Sequence, residues 1–169
     1  MFKHDIGEWQ RKDFQILLNG SISLYHKEDI LEEDIKWFAK HGYVISEINL
    51  QEVQTEEEFH SLIKQCLNFP SYYGENLNAL GDCIFSLEIS NESGLLLVFR
   101  NFDLFYKKMP SLAYNVLNIL EINSRRLMLT DRRLITFAHS NKLDLDIPPI
   151  GACSVMWNNR EWLKNGANS

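Results

Sequence analysis

A run of five consecutive apolar residues, Leu95 to Phe99, constrains the fold of this chain more than any other feature. A strand without polar alternation is covered on both faces, which is typical of a parallel sheet between layers of helices. The segment Leu134 to Ala138 predicts a second central strand of the same kind. Strands that alternate with helices imply right-handed crossovers between parallel neighbours. The sequence therefore predicts an α/β fold with a small parallel sheet and crossover helices.

Three further segments continue the alternation of strands and helices. Tyr43 to Leu50 alternates between apolar and polar residues and predicts the first strand of the core. Thr55 to Glu58 has the spacing of a capping box, which should open an amphipathic helix. Another helix should have Pro110 in its first turn, where a missing N–H costs no hydrogen bond. The inward side chains are predicted to be Phe59, Leu62, Ile63, Cys66 and Leu67 in the first helix, and Leu112, Val116, Ile119, Leu120 and Asn123 in the second.

Both ends of the chain extend beyond this core. Asp13 to His26 alternates around Asn19 and Gly20, which predicts a β-hairpin, with a single bulged strand as the alternative. Glu28 to Lys40 has helical periodicity and should stop near Gly42. These segments form an N-terminal β-α element. At the other end, a C-terminal tail should hold a short strand within Cys153 to Trp157 and a terminal turn at Glu161 to Leu163.

The loop and helix from Pro70 to Ile84 carry the features that best predict a function. Tyr72 and Tyr73 lie in a loop that ends at Asn76, which is predicted to cap the helix that follows. The stripe formed by Leu77, Leu80, Ile84 and Leu87 should face the core. Other faces of the helix then present Asn78, Gly81, Asp82 and Phe85. Two aromatic rings beside a carboxylate are typical of a protein-binding hot spot.

This segment resembles the signature of the barstar family, whose members are intracellular inhibitors of a secreted bacterial ribonuclease. The signature is a tyrosine pair followed by G-E-N-L and by a helix with an acidic residue before a cysteine. It reads here as Tyr72 to Leu77 and Ala79 to Cys83. The similarity extends more weakly from about Tyr43 to Ser140. The length of 169 residues predicts one domain over 1–169. The resemblance places a barstar-like core at about 43–140, which leaves an N-terminal elaboration at 1–42 and a C-terminal elaboration at 141–169.

The resemblance also implies that the chain acts by binding and catalyses no reaction. A barstar-like protein plugs the active site of its ribonuclease, so no catalytic residue, cofactor or metal is expected. Asp82 occupies the position of the family's central acidic residue, and its carboxylate should replace an RNA phosphate against basic side chains of the partner. The family's second acidic contact falls near Glu121, where Ile122 competes for the position. The remaining expected contacts are Tyr72, Tyr73, Gly74, Asn76, Asn78, Gly81 and Phe85.

Four positions depart from the family pattern. Gly81 stands where family members often have tryptophan. The glycine removes an anchor and lowers helix stability by roughly 1 kcal/mol relative to alanine, or it opens room for a side chain of the partner. Asn78 replaces a commonly acidic residue, and Phe85 and Leu87 are bulkier or more apolar than the residues expected there. These departures predict a partner different from the best-known ribonuclease.

Charge and cysteine content limit the class of partner and the compartment. The net charge of −6 argues against direct nucleic-acid binding and is compatible with a basic protein partner. Cys66, Cys83 and Cys153 are odd in number and widely spaced, which disfavours a disulfide framework and fits a reducing cytosol. No apolar signal core fits near Met1, and no apolar run is long enough to span a membrane. We expect a cytoplasmic protein.

Each functional interpretation has a competing structural one. Asp82 could be an inert surface carboxylate, and the tyrosine pair could pack at the edge of the core. Cys83 could serve a hydrolase with His60 or His139 as base, but the sequence pairs none of them, and Cys83 is better explained as a small hydrophobe. The arginines Arg125, Arg126, Arg132 and Arg133 are interpreted as a solvated face rather than an RNA groove.

The predicted function is that of a non-enzymatic inhibitor. We expect an antitoxin or immunity protein that binds a basic toxic nuclease, most readily a ribonuclease, in a 1:1 complex. The alternative is a barstar-fold interaction module, or an immunity protein for a toxin that is not a ribonuclease.

Overall fold

The computed structural model describes residue 7, residues 10–151 and residues 153–161. Its helices and strands alternate along the chain in the following order: α1 Lys12–Asn19, β1 Ile22–Tyr25, α2 Glu28–Lys40, β2 Val44–Asn49, α3 Glu56–Leu67, α4 Leu77–Phe85, β3 Gly94–Arg100, α5 Phe102–Lys108, α6 Pro110–Met128, β4 Arg133–His139 and β5 Met156–Trp157. The α2 bounds, the start of α6 at Pro110 and the positions of β3 and β4 confirm the sequence predictions.

The five strands form one parallel sheet in the order β2-β3-β4-β1-β5. The apolar run of β3 pairs with β4, placing Leu96 opposite Ile135 and Val98 opposite Phe137. Both strands are buried along almost their whole length, as expected for strands that are covered on both faces. The predicted α/β class with a parallel sheet is confirmed. The predicted first strand is β2, which lies at one edge of the sheet.

Helices cover the two faces of the sheet unequally. The α2 side chains Leu31 and Phe38 pack with Leu96 and Phe137 on one face, where Ile16 of α1 also contacts the cluster. The other face is covered by α3, α4, α5 and α6, and holds the larger core. That core includes Phe59, Ile63, Leu80, Ile84, Phe102, Phe105, Val116 and Leu120. The candidate signature helix α4 is therefore part of the larger layer.

Local capping sets the start of α3 as predicted. Thr55 Oγ1 accepts a hydrogen bond from the Glu58 backbone N–H at 3.1 Å. The Glu58 carboxylate accepts one from the Gln54 backbone N–H at 2.8 Å, one residue before the expected position. These bonds satisfy N–H groups that a helix N-terminus leaves without partners.

The prediction of a hairpin over residues 13–26 is wrong. Residues 12–19 form α1, and β1 pairs in parallel with β4 instead of with its own upstream neighbour. A long-range contact favours the helix: Asp13 is fully buried and accepts a hydrogen bond from the Tyr43 hydroxyl at 2.7 Å. Asn19 and Gly20 end the helix, and Gly20 takes φ 129°, a conformation open mainly to glycine.

Two further features differ from the sequence predictions. The helix α5 was not predicted, although Phe102 and Phe105 anchor it in the core. The predicted C-terminal strand is limited to Met156–Trp157. The predicted terminal turn begins at Glu161, and its remaining residues lie outside the described part of the chain. No helix in the described ranges is both long and apolar enough to cross a membrane.

Candidate protein-binding site

Asn76 fixes the start of α4. Its side-chain Oδ1 accepts a hydrogen bond from the Ala79 backbone N–H at 2.8 Å, which confirms the predicted N-cap. Its Nδ2 donates to the Gly74 carbonyl at 3.2 Å and so ties the cap to the loop. The left-handed residue in this loop is Glu75, with φ 52°, and Gly74 has no positive φ. The loop and the first turn of the helix are therefore held together by one side chain.

The helix α4 presents Asp82 to solvent. Leu80 and Ile84 are fully buried against the larger core, as their spacing predicts. Asp82 lies on another face and is exposed. Among the hydrogen bonds and ion pairs of the described residues, none involves the Asp82 carboxylate. An anionic group on a capped helix thus has no partner within the described structure.

The structure separates the two tyrosines. Tyr72 is 81% exposed, whereas Tyr73 is 5% exposed and packs its ring on Phe69, with the ring centres 4.9 Å apart. A hydrogen bond joins the Tyr73 hydroxyl to Nδ1 of the buried His60, whose Nε2 lies 3.3 Å from the Glu56 carboxylate. Burial is also the main cause of the raised pKa of Tyr73, which keeps the phenol neutral. Tyr73 supports the loop, and Tyr72 is the ring exposed to solvent.

Gly81 leaves a gap in side-chain cover between α4 and α6. A Cβ atom built on Gly81 would lie 3.8 Å from both Ile119 Cγ2 and Asn123 Nδ2, an ordinary van der Waals distance. The glycine is thus not required by close packing.

Two arginines, Arg126 and Arg132, cover the ring of Phe85. The sequence predicted only that they belong to a solvated face. The guanidinium carbon of Arg126 lies 3.9 Å from the centre of the Phe85 ring, and that of Arg132 lies 5.6 Å from it. Distances of this kind are typical of cation–π contacts. Sequence reasoning missed these residues because no local pattern shows that α4 and the end of α6 are neighbours.

Asn78 and Glu121 have very different positions. Asn78 is exposed on α4. Glu121 is buried, and its carboxylate accepts a hydrogen bond from the Ser21 backbone N–H at 2.8 Å and another from the Ser21 hydroxyl. Its other oxygen accepts from Arg125 Nε at 3.0 Å. This is a correction: the Glu121 carboxylate joins α6 to the start of β1 and is not presented to a partner, whereas the neighbouring Ile122 is 49% exposed.

Cys66 and Cys83 are poorly suited to act as nucleophiles. Burial raises the pKa of both the Cys66 and the Cys83 thiols, which disfavours the thiolate. The two histidines that were considered as bases are engaged elsewhere, His60 with Tyr73 and His139 with Glu28. Within the described residues, no group of three or more His, Cys, Asp or Glu side chains could hold a metal ion.

A family model and a protein of known sequence are similar to this chain. The family model described as Barstar (barnase inhibitor) matches residues 28–139, which run from the start of α2 to the end of β4. A protein of Bacillus subtilis (strain 168) named "Putative ribonuclease inhibitor YrdF" is 34% identical over 74 residues. That alignment covers 44% of this chain and 78% of the relative.

Proposed function

Because this chain belongs to the barstar family, we propose that it is a non-catalytic inhibitor that occludes the active site of a toxic ribonuclease. The family's description names a barnase inhibitor, and the name of the relative from Bacillus subtilis names a ribonuclease inhibitor. In this proposal, Asp82 takes the place of an RNA phosphate. The complex is 1:1 and forms in the cytoplasm, where it protects the cell as an antitoxin or immunity protein does.

The observation that carries the proposal is the exposed Asp82 carboxylate without an internal partner. A ribonuclease active site holds cationic side chains arranged around a phosphate. An arginine of that site can form two parallel hydrogen bonds with a carboxylate, and bonds between charged groups are stronger than neutral ones. Since Asp82 makes no ion pair in the described structure, no internal bond has to break before the partner binds.

Tyr72 supplies apolar contact area at the edge of the same surface. Its exposed ring precedes the capped helix, and Tyr73 anchors the loop from below. Rigid aromatic rings lose little conformational entropy on binding and are enriched among binding hot spots. The net charge of −6 would in addition speed the encounter with a basic enzyme.

A second candidate is inhibition of a toxin that is not a ribonuclease. Asn78 and Gly81 lie beside Asp82, and Arg126 covers the ring of Phe85 nearby. The surface is therefore less acidic than one adapted only to a cationic site. A toxin with a mixed charge pattern would fit it as well.

A titration of ribonuclease activity tests the proposal. The immobilised wild-type chain is used to capture ribonuclease activity from the source organism, and the purified enzyme is titrated with soluble variants. We expect stoichiometric inhibition by the wild type. Removal of one member of a buried charge pair costs about 2–5 kcal/mol, so D82A should weaken inhibition by at least ~30-fold.

The matched control is D144A. Asp144 is also an exposed carboxylate, it takes part in no hydrogen bond or ion pair of the described residues, and it lies outside the family match. The control removes the same charge and should inhibit like the wild type. Equal inhibition by D82A and D144A, with both folded by circular dichroism, would refute the role of Asp82. The second candidate would be favoured if the captured toxin has no ribonuclease activity and the wild-type chain inhibits it but D82A does not.

A further inference from the structure

Two cations lie around one aromatic ring on the proposed inhibitory face. Phe85 lies three residues after Asp82 in α4, so the two side chains are neighbours on the helix surface. Arg126 comes from the last part of α6 and stacks on the Phe85 ring at 3.9 Å, while Arg132 approaches the same ring from the loop before β4. This arginine cluster, Phe85 with Arg126 and Arg132, is therefore adjacent to the exposed carboxylate.

The two arginines have only neutral hydrogen-bond partners in the described part of the chain. Arg126 donates from Nη1 to the Asn123 side-chain oxygen at 3.1 Å, and Arg132 donates from Nε to the Thr130 hydroxyl at 2.9 Å. Neither forms an ion pair with a described carboxylate. A guanidinium has five N–H donors, so most of the donors of both groups are left for another acceptor.

Other arginines of the molecule show the contrast. Arg100 pairs with Glu28, Glu32 and Glu47. Arg160 pairs with Glu33 and with the buried Asp34. Arg126 and Arg132 form no such ion pair with a described carboxylate, so an anion bound between these two positive charges would lower the cost of their mutual repulsion.

The cluster is also held in place before binding. Asn123 is buried and donates its amide to the Ile119 carbonyl at 2.9 Å, so the oxygen that accepts from Arg126 has a fixed position. The Phe85 ring restricts the movement of the Arg126 guanidinium on one side, and Phe85 itself packs against the larger core. A pre-ordered arginine loses less side-chain entropy when it binds a planar, two-oxygen group.

We propose, on the basis of the function proposed above, that Arg126 and Arg132 bind a carboxylate on the ribonuclease next to its cationic active site. The inhibitory face then carries both signs of charge. Asp82 contacts the basic active-site pocket of the ribonuclease, and the arginine cluster contacts an acidic residue on the rim of that pocket. A ribonuclease with a basic residue at that position would be repelled. The cluster thereby determines which ribonucleases the chain inhibits.

Charge reversal at one arginine tests this inference. The probe is the purified ribonuclease that the wild-type chain inhibits, and the variants are R126E and the control K36E. Lys36 is exposed on α2, on the opposite face of the sheet, and is unpaired among the described residues, so both variants change the net charge equally. We expect R126E to raise the dissociation constant by at least ~10-fold and K36E by no more than about 2-fold. R126Q, which removes the charge and retains a polar side chain, replaces R126E if the latter does not fold.

The outcomes separate this inference from the proposed function. If R126E and R126Q bind like K36E while D82A loses inhibition, the arginine contact is refuted and the role of Asp82 stands. If D82A also keeps full inhibition, both proposals fail. Restoration of R126E binding by an acid-to-arginine substitution on the rim of the ribonuclease would support a direct carboxylate contact. If the cluster instead binds a short single-stranded RNA, and R126E abolishes that binding without affecting inhibition, the arginines recognise RNA and the inference is overturned.

Discussion

Replacement of Glu121 by alanine should destabilise the fold and leave the proposed inhibitory face intact. Glu121 accepts hydrogen bonds from the backbone N–H and the hydroxyl of Ser21, a residue that is buried at the start of β1. It thereby connects α6 to the strand that pairs with β4. In E121A the Ser21 donors lose their acceptor, and the effect should appear in the free energy of unfolding.

The magnitude follows from the hydrogen bonds and the surroundings of Glu121. Hydrogen bonds to a charged group contribute about 1.5–3 kcal/mol each, so the two Ser21 bonds set an upper limit of about 6 kcal/mol. A cavity of roughly 410 Å³ lies next to them and is lined in part by Ser21, Glu121 and Arg125. Water entering there can bind the donors that lose Glu121, which brings the loss down toward the lower end of that range, about 1.5 kcal/mol for each bond. The exposed ion pair with Arg125 adds less than about 1 kcal/mol. We therefore expect a loss of about 3 kcal/mol.

Urea denaturation followed by circular dichroism at pH 7 measures this loss. With a slope of about 2 kcal/mol per molar urea, the midpoint of E121A should fall by roughly 1.5 M. E121Q keeps an acceptor for Ser21 and should lose less than half as much. A midpoint of E121A within about 0.3 M of the wild type would refute the structural role. If such a variant also lost ribonuclease inhibition, Glu121 would be a contact residue after all.

Two more predictions concern the cap of α4 and the dependence of stability on pH. N76A removes the side-chain acceptor of the Ala79 N–H and should lower the free energy of unfolding, measured in urea, by about 1 kcal/mol. The control N78A, on the same helix, should leave the free energy of unfolding unchanged. Equal losses in the two variants would contradict the capping role. Burial lowers the pKa of His139 in the folded chain below its ordinary value of about 6.5, which applies to the unfolded chain. At a pH between the folded and the unfolded pKa, the unfolded chain binds more protons than the folded chain. The free energy of unfolding therefore falls as the pH falls through this window. H139Q should show a shallower loss of stability below pH 6.5, and an unchanged slope would show that another group causes it.

The central strands and the candidate helix could be predicted because their signals are local. The apolar run of β3 requires cover on both faces, and the spacing of Leu80 and Ile84 defines the buried side of α4. Asn76 sits immediately before the helix and caps it through an atom three residues away. Such signals depend only on neighbours in the sequence, so the position of Asp82 on an outer helix face followed from them.

The features that could not be predicted depend on contacts between distant segments. The helix α1 is favoured by the bond between Asp13 and Tyr43, which no local pattern near residues 12–19 indicates. The stacking of Arg126 on Phe85 requires that α4 and α6 be neighbours. The burial of Glu121 likewise depends on a partner a hundred residues away in the chain. The family resemblance alone suggested an acidic contact there.

A structure of the complex with the inhibited ribonuclease tests the central claim most directly. We expect an oxygen of the Asp82 carboxylate within about 3 Å of a guanidinium or ammonium nitrogen in the active site, at the position that an RNA phosphate would occupy. Tyr72 should lie at the edge of the same interface. A complex in which Asp82 faces solvent and another surface covers the enzyme would contradict the account.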